Sequence, residues 1–327
     1  MFSRFFRKLD FSTLLFFITA SIAIWLQTFI KPVFYPSSLD TVKMPLYELL
    51  TALFPTNNLI ASISAFTITV ITGIYILNIN GRYQIVRQRT YMPLFFYVII
   101  SSAVLPIQRV SPVLPASLLL VLSLDYLLAI YESKTPIDKI FKSSLILSTA
   151  SLFYAPLIFL IVWLLFGIFI LSRVTFRNVS ALIIGFSIPW LLLIFYYYWF
   201  NKDVSGIWEL VKWNLTSKTI DSYNHTLPLI LVIALVPATL FSILRIFRNF
   251  STQKVSIVKF QMIILWLLAF TILFFWLIPQ CSFELLYFLA IPLSLFLSAY
   301  IANAKSKFWP EFSIWVIIAG IIILQIL

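Results

Sequence analysis

The chain has 327 residues, 62% of them hydrophobic and only 10% charged, with a mean hydropathy of +1.03. About a quarter of the residues of an ordinary soluble domain are charged, so a water-soluble fold is excluded and the expected class is all-α: a polytopic transmembrane helical bundle forming a single domain over 1–327. The formal net charge of +12 implies no nucleic-acid partner, because Lys and Arg collect on the cytoplasmic side of membrane proteins; membrane lipids are the expected surroundings.

Ten apolar runs follow one another between charged, proline-containing or polar breaks. The first, Phe11 to Ile30, follows Arg4, Arg7 and Lys8 and has the length of a crossing, with no small-residue cleavage site after it; it reads as a retained first helix. The next runs are Leu59 to Ile79, Met92 to Pro106 and Val113 to Tyr131. Ser143 to Leu171 is too long for one crossing and is interrupted at Tyr154-Ala155-Pro156, so it reads as two short or broken crossings around a cavity near Tyr154. Val179 to Phe200, Leu227 to Ile246, Ile257 to Ile278, Phe283 to Ala304 and Phe312 to Leu327 complete the series, giving about eleven spans.

The distribution of basic residues chooses between one and two crossings at Ser143 to Leu171. With two, and the N-terminus cytoplasmic, seventeen Lys and Arg fall inside, and only Lys31, Lys43, Arg109, Lys202, Lys212 and Lys218 fall outside; with one, the split is twelve against eleven. The expectation is therefore a bacterial inner-membrane protein with its N-terminus cytoplasmic and its C-terminus periplasmic. Two outer segments read as helices lying in the membrane interface. One, near 44–54, starts at Pro45 and aligns Leu46, Leu49, Leu50 and Leu53 on a face. The other, near 205–215, is capped by Asp203 or Ser205 and carries Ile207, Trp208, Leu210, Val211 and Leu215.

Motifs of soluble enzymes are absent: there is no phosphate-cradling glycine loop, no His-Glu-x-x-His and no nucleophile elbow. The single Cys281 and single His225 exclude an intramolecular disulfide and leave little for transition-metal chemistry; no metal or cofactor is expected, and no motif supports a divalent cation. Six of the eleven acidic residues fall outside, so any acid chemistry belongs there. Asp40, in the first outer loop, is either a general base toward an acceptor hydroxyl or the cap of the helix after it. Arg109, in Pro106-Ile107-Gln108-Arg109-Val110-Ser111-Pro112, either clamps a lipid-linked phosphate or reaches to lipid headgroups. Glu48 reads as a solvated helix face, Glu284 as a helix cap or a cavity residue, and Asp125 as an intramembrane acid that serves a function or pairs with Lys134.

A first span, an outer loop with an acid and an interface helix, then Val98 to Pro106, Leu118 to Leu128, the paired short crossings around Leu152-Phe153-Tyr154-Ala155-Pro156, and Tyr287 followed five residues later by Pro292 together resemble the layout of C-type, polyprenyl-phosphate-dependent glycosyltransferases. The whole chain is also similar to an uncharacterised family of polytopic inner-membrane proteins from Bacteroidota. The glycosyltransferase resemblance implies Asp40 as the base and leaves Arg109, Lys202, Lys212 or Lys218 for the donor phosphate. The sequence departs from that pattern in having one acid instead of a pair in the first outer loop, and no arginine ahead of Tyr287. Three functions stay open: a glycosyltransferase-like enzyme using a lipid-phosphate-linked sugar donor at the periplasmic face, a non-catalytic scaffold subunit bound to other envelope proteins, and a transporter.

Overall fold

The computed structural model describes residues 10–31, 38–53, 59–86, 88–172, 174–217, 226–248, 253–279, 283–303 and 308–326. Thirteen α-helices make up the described chain: α1 Phe11–Ile30, α2 Pro45–Leu53, α3 Leu59–Tyr83, α4 Met92–Ser101, α5 Val113–Leu128, α6 Ile137–Ser151, α7 Leu160–Leu171, α8 Phe176–Trp199, α9 Ser205–Thr216, α10 Thr226–Arg248, α11 Val255–Leu277, α12 Leu286–Asn303 and α13 Phe308–Ile326. No strand occurs among the described residues. In a medium without water every backbone N–H and C=O must be satisfied within the chain, which a helix does by itself.

Among the described residues, five helical stretches are long and apolar enough to cross a membrane: Phe11–Ile30, Leu59–Tyr83, Phe176–Trp199, Val255–Leu277 and Phe283–Ala302. Helices α10 and α13 run to 23 and 19 residues, whereas other apolar helices are shorter. At ~1.5 Å per residue, the ten residues of α4 and the sixteen of α5 reach roughly 15 and 24 Å, against a hydrocarbon core of about 30 Å. The chain is thus built like a membrane protein, while several of its apolar runs fold as helices shorter than a full crossing. The Ser143 to Leu171 run is broken where its proline stands: α6 ends at Ser151, Ala155–Phe159 forms a 3-10 turn, and α7 begins at Leu160.

Apolarity is distributed by depth in the bundle. All ten residues of α4 are buried, and α12 is buried along most of its length. Around them α1, α8 and α11 turn Phe, Leu and Ile side chains outward, as lipid-facing helices do. The inner helices approach closely through small residues. Ser123 Oγ donates to the Ser143 carbonyl, and Ser143 Oγ donates back to the Ser123 carbonyl, both at 2.9 Å, fastening α5 to α6. Gly185 of α8 rests against α6 so tightly that a Cβ there would meet Ser144 Oγ and stand 2.7 Å from the Phe141 carbonyl.

The loop joining α4 to α5 is buried as well, and this sets the site described below. Residues 101–104 and 107–111 lie inside the protein, and several of their polar groups are paired internally. Gln108 Nε2 donates to the Ser102 carbonyl (2.8 Å) and to the Ile24 carbonyl of α1 (3.3 Å), its Oε1 accepts from Thr28 (2.5 Å), and Trp25 Nε1 donates to Ser102 Oγ (2.9 Å). Irregular backbone of this kind persists in an apolar medium only when protein surrounds it.

Gly185→Ala is expected to destabilise the protein by about 1–3 kcal/mol through overpacking against α6, whereas Gly81→Ala, where an added Cβ meets nothing within 4 Å, leaves stability unchanged or slightly raised. Thermal unfolding of the detergent-purified variants measures both.

Candidate functional site

Three segments far apart in sequence meet at one end of the bundle. The 3-10 turn Ser38–Asp40 brings Asp40, the buried α4–α5 loop brings Arg109, and the 3-10 turn Phe283–Leu285 ahead of α12 brings Glu284. Arg109 Nη1 donates to Asp40 Oδ2 at 2.6 Å, and Nη2 donates to Glu284 Oε1 at 2.8 Å. The Arg109 and Glu284 side chains are each only 7% exposed, while Asp40 keeps 16%. A planar guanidinium with several fixed donors suits this two-sided grip, which a lysine could not reproduce.

Two tyrosines complete the arrangement. Tyr47, fully buried on α2, donates its hydroxyl to Asp40 Oδ1 at 2.8 Å, with the Val110 carbonyl 3.4 Å away. Tyr287, one helical turn beyond Glu284, donates to the Ile107 carbonyl at 3.0 Å, so the start of α12 holds the α4–α5 loop by both an acid and a phenol. Burial, then the charge of Asp40, push the Tyr47 hydroxyl well above the ordinary phenol range against the opposing pull of Arg109, so it remains a proton donor. Burial works against the Arg109 charge, but Glu284 and Asp40 outweigh it and hold the guanidinium above its already high range.

The short helices α2 and α9 pack over this end. Met44 and Tyr47 cluster with Ala155 and Val211, the Leu46 amide reaches the Leu152 carbonyl at 3.4 Å, and Asn214 Nδ2 donates to the Val42 carbonyl at 3.2 Å. Both helices occur where the sequence places them. The buried side of α2, however, is that of Met44 and Tyr47, while Leu49 and Leu53, on the expected apolar face, point outward at 61% and 75% exposure. On α9, Ile207 and Val211 turn inward and Trp208 outward. Asp203 accepts from the Ser205 amide and hydroxyl at 2.9 and 2.7 Å, which also holds its carboxyl below the usual carboxylate range.

The residues singled out from sequence separate clearly. Asp40 and Arg109 are brought together, with Glu284 as a third member. Arg109 lies in the interior and does not extend to the surface, and Asp40 stands five residues ahead of α2 on its own turn, bonded to side chains instead of capping that helix. Lys202 is exposed, its ammonium lying 5.1 and 5.5 Å from the Tyr196 and Tyr197 ring centres, and Lys212 is exposed on α9. Lys218, His225 and Cys281 lie outside the described residues. Asp125 is bridged by Arg82 Nη1 at 3.0 Å to both oxygens, in place of Lys134. Tyr154, where a cavity was expected, is buried with its ring 5.7 Å from that of Phe288.

Tyr47 and Gln108 were not legible as members of the site. Tyr47 sits within a leucine-rich pattern of which Leu49 and Leu53 point outward, and Gln108 differs from a loop glutamine only through its burial. The chain belongs to DUF6427, a family of unknown function, which it matches over residues 42–327. That stretch contains Tyr47, Arg109, Glu284 and Tyr287 and begins two residues after Asp40. No curated protein and no solved structure matches the chain.

Removing the central cation leaves two buried carboxylates facing each other. Arg109→Gln is expected to cost about 3–5 kcal/mol, and Tyr47→Phe about 1 kcal/mol for its lost hydrogen bond, both read from thermal unfolding in detergent.

Proposed function

We propose that this DUF6427 chain is a multi-pass scaffold of the bacterial inner membrane, crossing about eleven times with its N-terminus cytoplasmic and its C-terminus periplasmic, and holding α2 and α9 at the outer face for other envelope proteins. The observation that carries this reading is the state of Arg109. Its guanidinium is 7% exposed and grips two carboxylates, so the cation offered for a donor phosphate is spent on fastening the chain to itself. Both oxygens of Asp40 are engaged too, one by Arg109 and one by Tyr47.

The sidedness has support in how charge divides along α5. Its N-terminal end adjoins the cluster of Asp40, Arg109 and Glu284, and at its C-terminal end Arg82, Lys139, Lys142 and Lys259 gather around Asp125, Tyr126 and Tyr131. The two ends are roughly 24 Å apart at 1.5 Å per residue. An excess of basic residues marks the cytoplasmic end of a membrane protein.

One observation favours a second reading, group transfer from a lipid-phosphate-linked sugar donor. Asp40 retains an exposed edge, and a carboxylate oxygen has a second lone pair to offer an acceptor hydroxyl. In that reading the donor phosphate falls to Lys202, Lys212 or Lys218, and Arg109 positions the base without touching substrate.

Asp40→Asn separates the two, because Asn keeps a carbonyl oxygen for the Arg109 bond and loses the basicity. With membrane abundance confirmed as normal, the scaffold reading predicts growth and envelope glycan composition like those of the unmodified strain. Loss of a glycan at normal abundance would establish the transferase reading instead.

A further inference from the structure

The basic end of the bundle carries a pair of lysines whose placement calls for an anion. Lys139 and Lys142 stand three residues apart on α6, and both ammoniums lie over the same ring, 5.6 and 5.9 Å from the centre of Tyr126 on α5. Like charges at this spacing on one helix repel, and among the described residues neither lysine forms an ion pair with a carboxylate. The nearby acids do not provide one: Asp125 is held through both oxygens by Arg82, and Glu132 and Asp138 form no ion pair within 4 Å among the described residues. Lys259, over Tyr131 at 5.4 Å, adds a further cation around the same end of α5. Attraction to the ring face draws each ammonium to Tyr126, but it leaves the two like charges uncompensated.

We propose that Lys139, Lys142 and Tyr126 form a binding site for the phosphate of an anionic lipid headgroup. Two ammoniums and a phenolic O–H supply charge-assisted and neutral donors to the phosphate oxygens. The lipid source follows from what stands level with the donors. Helix α8 runs parallel to α6, with Gly185 against Phe141 and Ser144 and Trp190 bonded to Ser151, so Ile183 and Ile184, 53% and 55% exposed, come level with Lys142 and face outward. An acyl chain has an apolar surface to follow there, and a free phosphate does not. The proposal goes beyond the scaffold reading and shares with it only residence in a membrane, since none of its residues touches the outer end.

The test is a titration of the detergent-purified full-length protein with phosphatidylglycerol, counting bound lipid by native mass spectrometry. The double variant Lys139→Gln/Lys142→Gln is expected to bind roughly thirtyfold more weakly, while Lys139→Arg/Lys142→Arg and Lys31→Gln, at the opposite end of the bundle, bind like the unmodified protein. Equal binding by the Gln double variant, or equal weakening by Lys31→Gln, overturns the site. Displacement of phosphatidylglycerol by an equimolar amount of inorganic phosphate overturns the assignment to a lipid. Monodisperse elution of each variant, together with retained binding by the Arg pair, separates loss of the site from loss of the fold.

Discussion

The grip of one buried guanidinium on two carboxylates organises one end of this bundle. Arg109 sits on a loop that no regular element holds, yet that loop is buried between α1, α4, α5 and α12. Its position depends on bonds made by side chains: Arg109 to Asp40 and Glu284, Gln108 to Thr28 and Ser102, and Tyr287 to the Ile107 carbonyl. Asp40 passes the constraint to α2 through Tyr47, and α2 passes it to α9 through the shared cluster with Val211 and the Asn214 bond to Val42. Two short helices at the edge of the bundle are thereby tied to its centre.

Burying such a triad is costly, because each charge gives up its hydration, and an apolar replacement of similar volume is often at least as stable. What an ion cluster adds over an apolar one is direction, since it is satisfied in a single geometry. In an apolar bundle, where Leu and Phe contacts are nearly interchangeable, that specificity fixes which loop meets which helix. The same economy explains the reciprocal Ser123 and Ser143 bonds and the close seat of Gly185: lipid supplies no hydrophobic drive between helices, so close packing and directed bonds choose the partners.

The helices were legible because their signal is local. Phe11–Ile30 coincides with its apolar run, and the break at Tyr154-Ala155-Pro156 falls where proline cannot continue a helix. Their lengths relative to a membrane were less so. The run from Met92 to Pro106 reads as one apolar segment, but α4 ends at Ser101 because the following residues turn inward to pair with α1 and α12. The site was legible one residue at a time and not as a set. Asp40, Arg109 and Glu284 each stand out as charges in an apolar chain, but pairing across 69 and 175 residues leaves no mark in spacing or periodicity. For the same reason Asp125 finds Arg82 instead of the closer Lys134.

The central claim is that Arg109 and Glu284 act as one unit in holding this end of the bundle together. A double-mutant cycle on stability tests it most directly, comparing Arg109→Gln, Glu284→Gln and the double variant by thermal unfolding in detergent. If the two form one buried unit, the double variant is less damaged than the sum of the singles, with a coupling of about 1.5–3 kcal/mol. Additivity within about 0.5 kcal/mol would contradict the account.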